Sequence, residues 1–217
     1  MTIIIYHVKR HLQQPMPERS SPMKVSREQA LQNRERVLDV AARLFRERGF
    51  DGIGVADLMK GAGMTHGGFY GQFGSKEDLM AEACSRVFDE GGQRWQRVVG
   101  GAAAQGEDGL AALARSYLST EHRDEPGNGC AVAALGAEAA RQGPALRAAF
   151  TAGVRGAVDF IAALVGGRKA RRRERAIVAY AAMIGAQVLA RAVDDEALSG
   201  EILQAVAAEL AGAPAAA

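Results

Sequence analysis

The stretch from Gly61 to Leu79 constrains this chain most, because it packs a glycine turn, a short helix start and a second capped helix start into one unbroken run. Val55, Leu58 and Met59 upstream sit at helical spacing, and Gly61-Ala62-Gly63 ends that helix with residues that tolerate positive φ and a close approach of two helix axes. Thr65 then stands as N-cap of a new helix, with Met64, Phe69 and Phe73 as the apolar contacts that pin it to a core. His66, Gly67, Gly68, Tyr70 and Gln72 are left for the exposed face. Two adjacent glycines near a helix start cost about 1 kcal/mol each relative to alanine. They belong either to a loop or to a helix pressed so close to a duplex that a missing Cβ lets the backbone reach phosphates and base edges. Ser75-Lys76-Glu77-Asp78 favours the second reading, since it has the Ser-x-x-Asp form of a capping box. It opens a further helix whose positive end, with Lys76, is suited to a phosphate. The pattern is the DNA-contacting half of a helix-turn-helix.

The preceding segment supports this independently. From Gln29 to Arg48, Val37, Val40-Ala41 and Leu44-Phe45 recur at three-to-four spacing, Arg46 and Arg48 fall in the last turn, and Gly49 follows as a stop. With these residues in view, the segment from about Arg34 to Leu79 resembles the DNA-binding domain of the tetracycline-repressor (TetR) family. The likeness is carried by Ala41, Leu44-Phe45, Gly49-Phe50, Val55-Ala56-Asp57-Leu58, Ala62-Gly63, Thr65, Phe69-Tyr70, Phe73 and Ser75 to Leu79. The family usually has Ser or Thr where Gly54 stands, an aromatic residue where Gly71 stands and often His where Gln72 stands, so contacts from those positions are not carried over. The expected DNA-binding set is Thr65, His66, Gly67, Gly68, Tyr70, Gln72, Ser75 and Lys76, with Thr65–Phe73 in the major groove.

A chain of 217 residues with 48% apolar content has room for one or two domains. Its formal charge of +2 neither requires nor excludes a nucleic-acid partner. No apolar run approaches the ~20 residues of a membrane span, and Ile3-Ile4-Ile5 is too short for a secretory segment, which predicts a soluble, cytoplasmic protein. Residues 1–23 hold Pro15, Pro17 and Pro22 without periodicity and are expected to form a mobile arm; Met23 offers a second start. Residues 24–80 are expected to be the helix-turn-helix domain, 81–212 a helical effector-binding and dimerisation domain, and 213–217 a flexible tail. The fold class is all-α. Helices are expected at Lys76–Gly91 with a continuation at Gln93–Val99, then at Gly109–Glu121, Ala131–Gln142, Pro144–Leu164, Ala170–Val193 and Asp195–Leu210. Breaks are expected at Gly100-Gly101, Pro126-Gly127, Gly143-Pro144 and Gly166-Gly167.

Two helical stripes, Ala179, Ala182, Met183, Ala186 and Leu189 with Leu203, Val206 and Leu210, are either intramolecular core or a partner surface by periodicity alone. The resemblance implies the partner surface, because TetR-like proteins dimerise through a C-terminal helix pair. It also implies a small-molecule effector pocket, for which Phe88, Trp95, Tyr117, His122, Phe150 and Gln187 are the candidate lining residues, with Arg115 as a further polar candidate. The histidines show no spacing with Cys, Asp or Glu that would hold a metal, and neither a cofactor nor catalysis is expected. Cys84 and Cys130 are not a CxxC pair; Cys130 follows Gly127-Asn128-Gly129 at a helix start, where a thiolate is favoured. Its stretch to Leu135 resembles a helix opening of one TetR-like subgroup, which implies a structural role. The resulting expectation is a dimeric, ligand-responsive regulator, most simply a repressor of a palindromic operator. The alternatives are a helical architectural or division-associated DNA-binding protein without an effector and, more remotely, an all-α enzyme using His122 and Cys130.

Overall fold

The computed structural model describes residues 26–212, with the side chains of residues 169 and 170 left undescribed. The expected arm at 1–23, with His7 and His11, and the expected tail at 213–217 lie outside the described residues. Those residues form nine α-helices and no strand: α1 Arg27–Arg48, α2 Val55–Gly61, α3 Lys76–Ala104, α4 Gly109–Tyr117, α5 Thr120–Asp124, α6 Ala131–Ala139, α7 Pro144–Leu164, α8 Lys169–Ala192 and α9 Glu196–Ala211. Short 3-10 turns stand at His66–Gly68 and Pro126–Asn128.

Local chemistry sets most helix ends. Ser26 accepts a bond from the Gln29 N–H at the start of α1, and Gly49 ends that helix at φ 77° with its N–H on the Phe45 carbonyl. Ser75 accepts from the Asp78 N–H at the start of α3, as its capping box predicts.

Three expected boundaries shift. The helix α3 runs through Gly100-Gly101 to Ala104 rather than breaking there, with Ala102 buried in its last turn. The expected Gly109–Glu121 helix divides into α4 and α5, because Ser119 caps a new start on the His122 N–H. The Tyr117 carbonyl instead meets the Gln187 Nε2 at 2.5 Å and the His122 Nδ1 at 2.6 Å. The third shift is at α6, which stops at Ala139, short of Gln142.

Two hydrophobic clusters organise the packing. The first holds Val37, Phe45, Phe50, Leu58, Phe69 and Leu79 from α1 to α3, together with Leu135 of α6 and Leu146 and Phe150 of α7. The second holds Leu113, Tyr117, Ile161, Tyr180, Met183 and Leu203 from α4 and α7 to α9. Helix α6 contributes to the first cluster and begins, at Cys130, beside the second.

Candidate nucleic-acid interface and internal cavity

The turn after α2 is a full Schellman closure: Met64 N–H bonds the Met59 carbonyl, Gly63 N–H bonds the Lys60 carbonyl, and Gly63 takes φ 72°. The chain then enters a tight 3-10 turn rather than the expected α-helix. Gly68 N–H bonds Thr65 O and Phe69 N–H bonds His66 O, after which the Phe69 carbonyl accepts from both Gln72 and Phe73. Gly67, Gly68 and Gly71 within eight residues give little helix propensity, and the Thr65 hydroxyl makes no capping bond.

Phe69 and Phe73 are buried and stacked 5.6 Å apart, and they fix this head to the first core. His66, Gly67 and Tyr70 face outward, Tyr70 at 68% exposure with its ring edge-on to Phe69. Gln72 turns the other way. It is half-buried, its Nε2 3.9 Å from the Met64 sulfur and its Oε1 without a partner, since the Gly71 turn rotates it off the exposed face. Lys76 donates its ammonium to the Phe50 carbonyl at 2.6 Å, which commits one of its three donors to the protein itself. Arg34 pairs with Glu82 and lies 4.7 Å over the Phe73 ring, bracing α1 against α3. Lys60 of α2, which sequence reasoning passed over, is exposed and takes part in none of the ion pairs among the described residues.

A cavity of about 840 Å³ lies between the two clusters, with Val87 and Ala131 of the first and Tyr117 and Tyr180 of the second in its wall. Phe88 and Trp95 of α3, Tyr117 of α4, His122 of α5, Phe160 of α7 and Tyr180 of α8 line it. Trp95 is central, with ring centroids 6.1 Å from Tyr117, 5.8 Å from Phe160 and 5.9 Å from Tyr180. His122 Nε2 accepts the Cys130 N–H at 3.1 Å, so the ring proton sits on Nδ1 and points to the Tyr117 carbonyl. Burial, and then the guanidiniums of Arg191, Arg94 and Arg46, holds this imidazole below its ordinary pKa and keeps it neutral. Burial pushes the Tyr117 phenol well up, with the Cys130 thiol beside it, and its hydroxyl has no well-formed hydrogen bond.

Two expected lining residues stand elsewhere. Phe150 packs in the first core edge-on to Phe88, behind the wall. Gln187 is fully buried and donates its amide to Tyr117 O, with its Nε2 3.2 Å from the His122 Nδ1. Arg115, the further polar candidate, is exposed and paired with Glu107. Cys84 is buried and its thiol is pushed up to about 12 by burial, which makes it inert.

Sequence reasoning missed the links between cavity and head. Arg46, in the last turn of α1, lines the cavity and donates to the Gly129 carbonyl at 3.0 Å, 83 positions away. Glu138 of α6 accepts the Phe50 N–H at 2.8 Å. No local periodicity signals either contact.

Of the expected partner surface, Ala179, Met183, Ala186, Leu203 and Leu210 are buried in the chain's own second core. They face inward because α8 and α9 pack on each other and on α4 and α7. Ala182 and Val206 are half-buried. Leu189 is 56% exposed, in line with Val178, Ala181 and Gly185 on the outer face of α8, while Leu198 of α9 is also exposed.

A buried three-helix core that carries an exposed glycine-rich head, joined to a helical body with an internal cavity, defines a helix-turn-helix regulator. Residues 37–83 match the family model for bacterial regulatory proteins of the tetR family. The transcriptional repressor NemR of Escherichia coli K12 is 28% identical over 166 residues, 73% of this chain and 83% of that protein. The transcriptional repressor KstR2 of Mycolicibacterium smegmatis is 30% identical over 95 residues, 44% of this chain and 46% of that protein. The crystal structure of reduced E. coli NemR superposes with a TM-score of 0.66 at 25% identity, covering 82% of this chain and 95% of that one. A TetR regulator from Chloroflexus aurantiacus shares the fold with a TM-score of 0.69 at 22% identity, over 88% of this chain and 100% of that one. Residues 37–83 thus carry a tetR-type DNA-binding domain, and the relatives that extend furthest along this chain are transcriptional repressors.

Proposed function

We propose that this chain is a cytoplasmic, homodimeric repressor that reads a palindromic operator with the His66–Tyr70 head and leaves it when a small molecule fills the cavity. The observation that carries the reading is the glycine pair on a rigid seat, with Gly67 exposed and Gly68 half-buried. Gly67 has open space around the position of a Cβ, Gly68 has only ordinary contacts, and neither has positive φ. The fold therefore does not need glycine at either place. A surface pressed against base edges does. Thr65, Ser75, Lys76 and the exposed Lys60 flank the head as phosphate partners. Two such heads must reach successive major grooves roughly 34–36 Å apart or a multiple of that. The apolar outer stripe of α8, with Val178 at 68% exposure, supplies a face for the second copy.

Helices α1, α3 and α6 each connect the head to the cavity wall, through Arg46, Phe88 and Trp95, and Cys130. A ligand that prefers one spacing of the two heads shifts the population between DNA-bound and free forms.

Selection of genomic fragments by the purified protein tests this reading. One palindromic site should dominate, and Val178→Glu should sediment as a monomer and lose that site while keeping its helical content. Uniform recovery of all fragments would instead favour an architectural DNA-binding protein.

A further inference from the structure

Two guanidiniums converge on a single turn at the cavity wall. Arg46 of α1 donates to the Gly129 carbonyl at 3.0 Å, and Arg94 of α3 donates to the adjacent Asn128 carbonyl at 2.9 Å. Neither takes part in an ion pair among the described residues. Arg46 is half-buried and its Nε is buried without any partner. Desolvation, and then the neighbouring Arg94, holds its pKa below the ordinary guanidinium value against the pull of Glu90. Glu90 itself is exposed and engaged by Arg86 at 3.3 Å. A buried charge without a counter-charge is costly, and planar guanidinium forks match carboxylates bidentately. The same turn leads to Cys130, His122 and Tyr117, and so to the aromatic group around Trp95.

We propose that the cavity takes an organic anion, a carboxylate on a flat apolar body, with the carboxylate received by Arg46 and Arg94 and the body lying against Trp95, Tyr117 and Phe160. This rests on the effector reading above and assigns the chemistry of that effector. The mouth also carries Asp89, Glu90, Glu121 and Glu125, which are exposed, with Glu90 held by Arg86. Screening weakens them relative to the half-buried arginine, and the apolar body offsets the repulsion that remains. Because Arg46 belongs to α1, the carboxylate competes with the Gly129 carbonyl for a residue of the DNA-reading unit. Binding therefore loosens a contact between the head and the cavity wall.

Calorimetry and Trp95 emission with three probes of one shape, 4-butylbenzoate, its methyl ester and 4-butylbenzyltrimethylammonium, test the proposal. The benzoate should bind tighter than the ester by about tenfold or more, as expected for losing a charge-assisted pair. Arg46→Gln should remove that advantage while ester binding persists, which also shows that the variant is folded; Arg94→Gln should remove part of it. Ester or cation binding as tight as the benzoate, an unchanged benzoate affinity in Arg46→Gln, or no binding by any probe would overturn the anion site. Operator release is scored separately. Arg46-dependent benzoate binding without release would leave the anion site standing and overturn the effector reading, whereas release by the ester alone would do the reverse.

Discussion

Phe69 beneath the reading head and Trp95 at the cavity are the aromatic centres of two cores, and they are packed differently. Phe69 is fully buried, stacked on Phe73, with Leu58 and Met59 also wholly enclosed. Trp95 is half-buried, its three aromatic neighbours stand 5.8 to 6.1 Å away, and open volume lies beside it. Around it the Tyr117 hydroxyl, Gln187 Oε1 and Arg46 Nε are buried without partners. Close packing makes the first core a rigid seat, since an interior at native density transmits displacement rather than absorbing it. Both regions keep unpartnered polar atoms, Gln72 Oε1 beside the first core among them, but only Tyr117 and Arg46 stand at an open cavity. The difference separates a part that must keep its shape from a part that must change occupancy.

If the first core is the rigid one, truncating its centre should have the largest effect. Phe69→Ala should cost about 3–5 kcal/mol, seen as a large fall in melting temperature together with loss of operator binding. A loss below about 1 kcal/mol would mean that the head is not seated as tightly as its burial indicates.

A sharper contrast lies within one helix of the cavity wall. An alanine methyl at Gly153 would overlap the Phe88 ring, where α7 crosses α3, whereas a methyl at Gly156 meets open space. Gly153→Ala should therefore destabilise by about 1–3 kcal/mol through overpacking, while Gly156→Ala should be neutral or stabilise by up to about 1 kcal/mol through helix propensity. Equal melting shifts for the two would show that the wall near Phe88 yields as readily as the cavity.

The smallest effect expected is on pH dependence. His122 is held neutral, with its pKa below the ordinary 6.5, so the unfolded chain binds the proton more readily than the folded one. The stability this contributes is complete above pH 6.5 and is lost as pH falls toward the lower folded value. Melting between pH 7.5 and 5.5 should fall further for the wild type than for His122→Gln, and parallel curves would remove His122 from the cavity's electrostatics.

The two regions also differ in how far they can be read from the sequence. The capping box at Ser75, the apolar face of α1 and the buried Phe69 and Phe73 are local patterns, and each has a local cause that the fold obeys. The 3-10 form of the head and the inward Gln72 are not local, since they depend on how three glycines yield to the packing of Phe69 and Phe73. Phe88, Trp95, Tyr117 and His122 meet in the cavity as their chemistry suggests. Phe150 and Gln187 do not, because periodicity reports that a side chain is buried without reporting which core receives it. The same ambiguity explains α8, where Met183 and Leu189 share a pattern of apolar residues but point to opposite sides. Arg46 and Glu138 reach across 83 and 88 positions to bind Gly129 and Phe50, and such pairs leave no trace in a single sequence.

Ligand control of DNA binding requires the cavity and the reading head to be one thermodynamic unit. For a compound that quenches Trp95, the decisive measurement is its affinity in the absence and presence of saturating operator DNA, alongside operator affinity with and without that compound. Linkage requires the two factors to be equal, and a coupling of ~1–3 kcal/mol makes each about 5- to 150-fold. Equal factors in that range, with DNA weakening the ligand and the ligand weakening DNA, are the predicted result. A compound that fills the cavity beside Trp95 and leaves operator affinity unchanged would contradict the account.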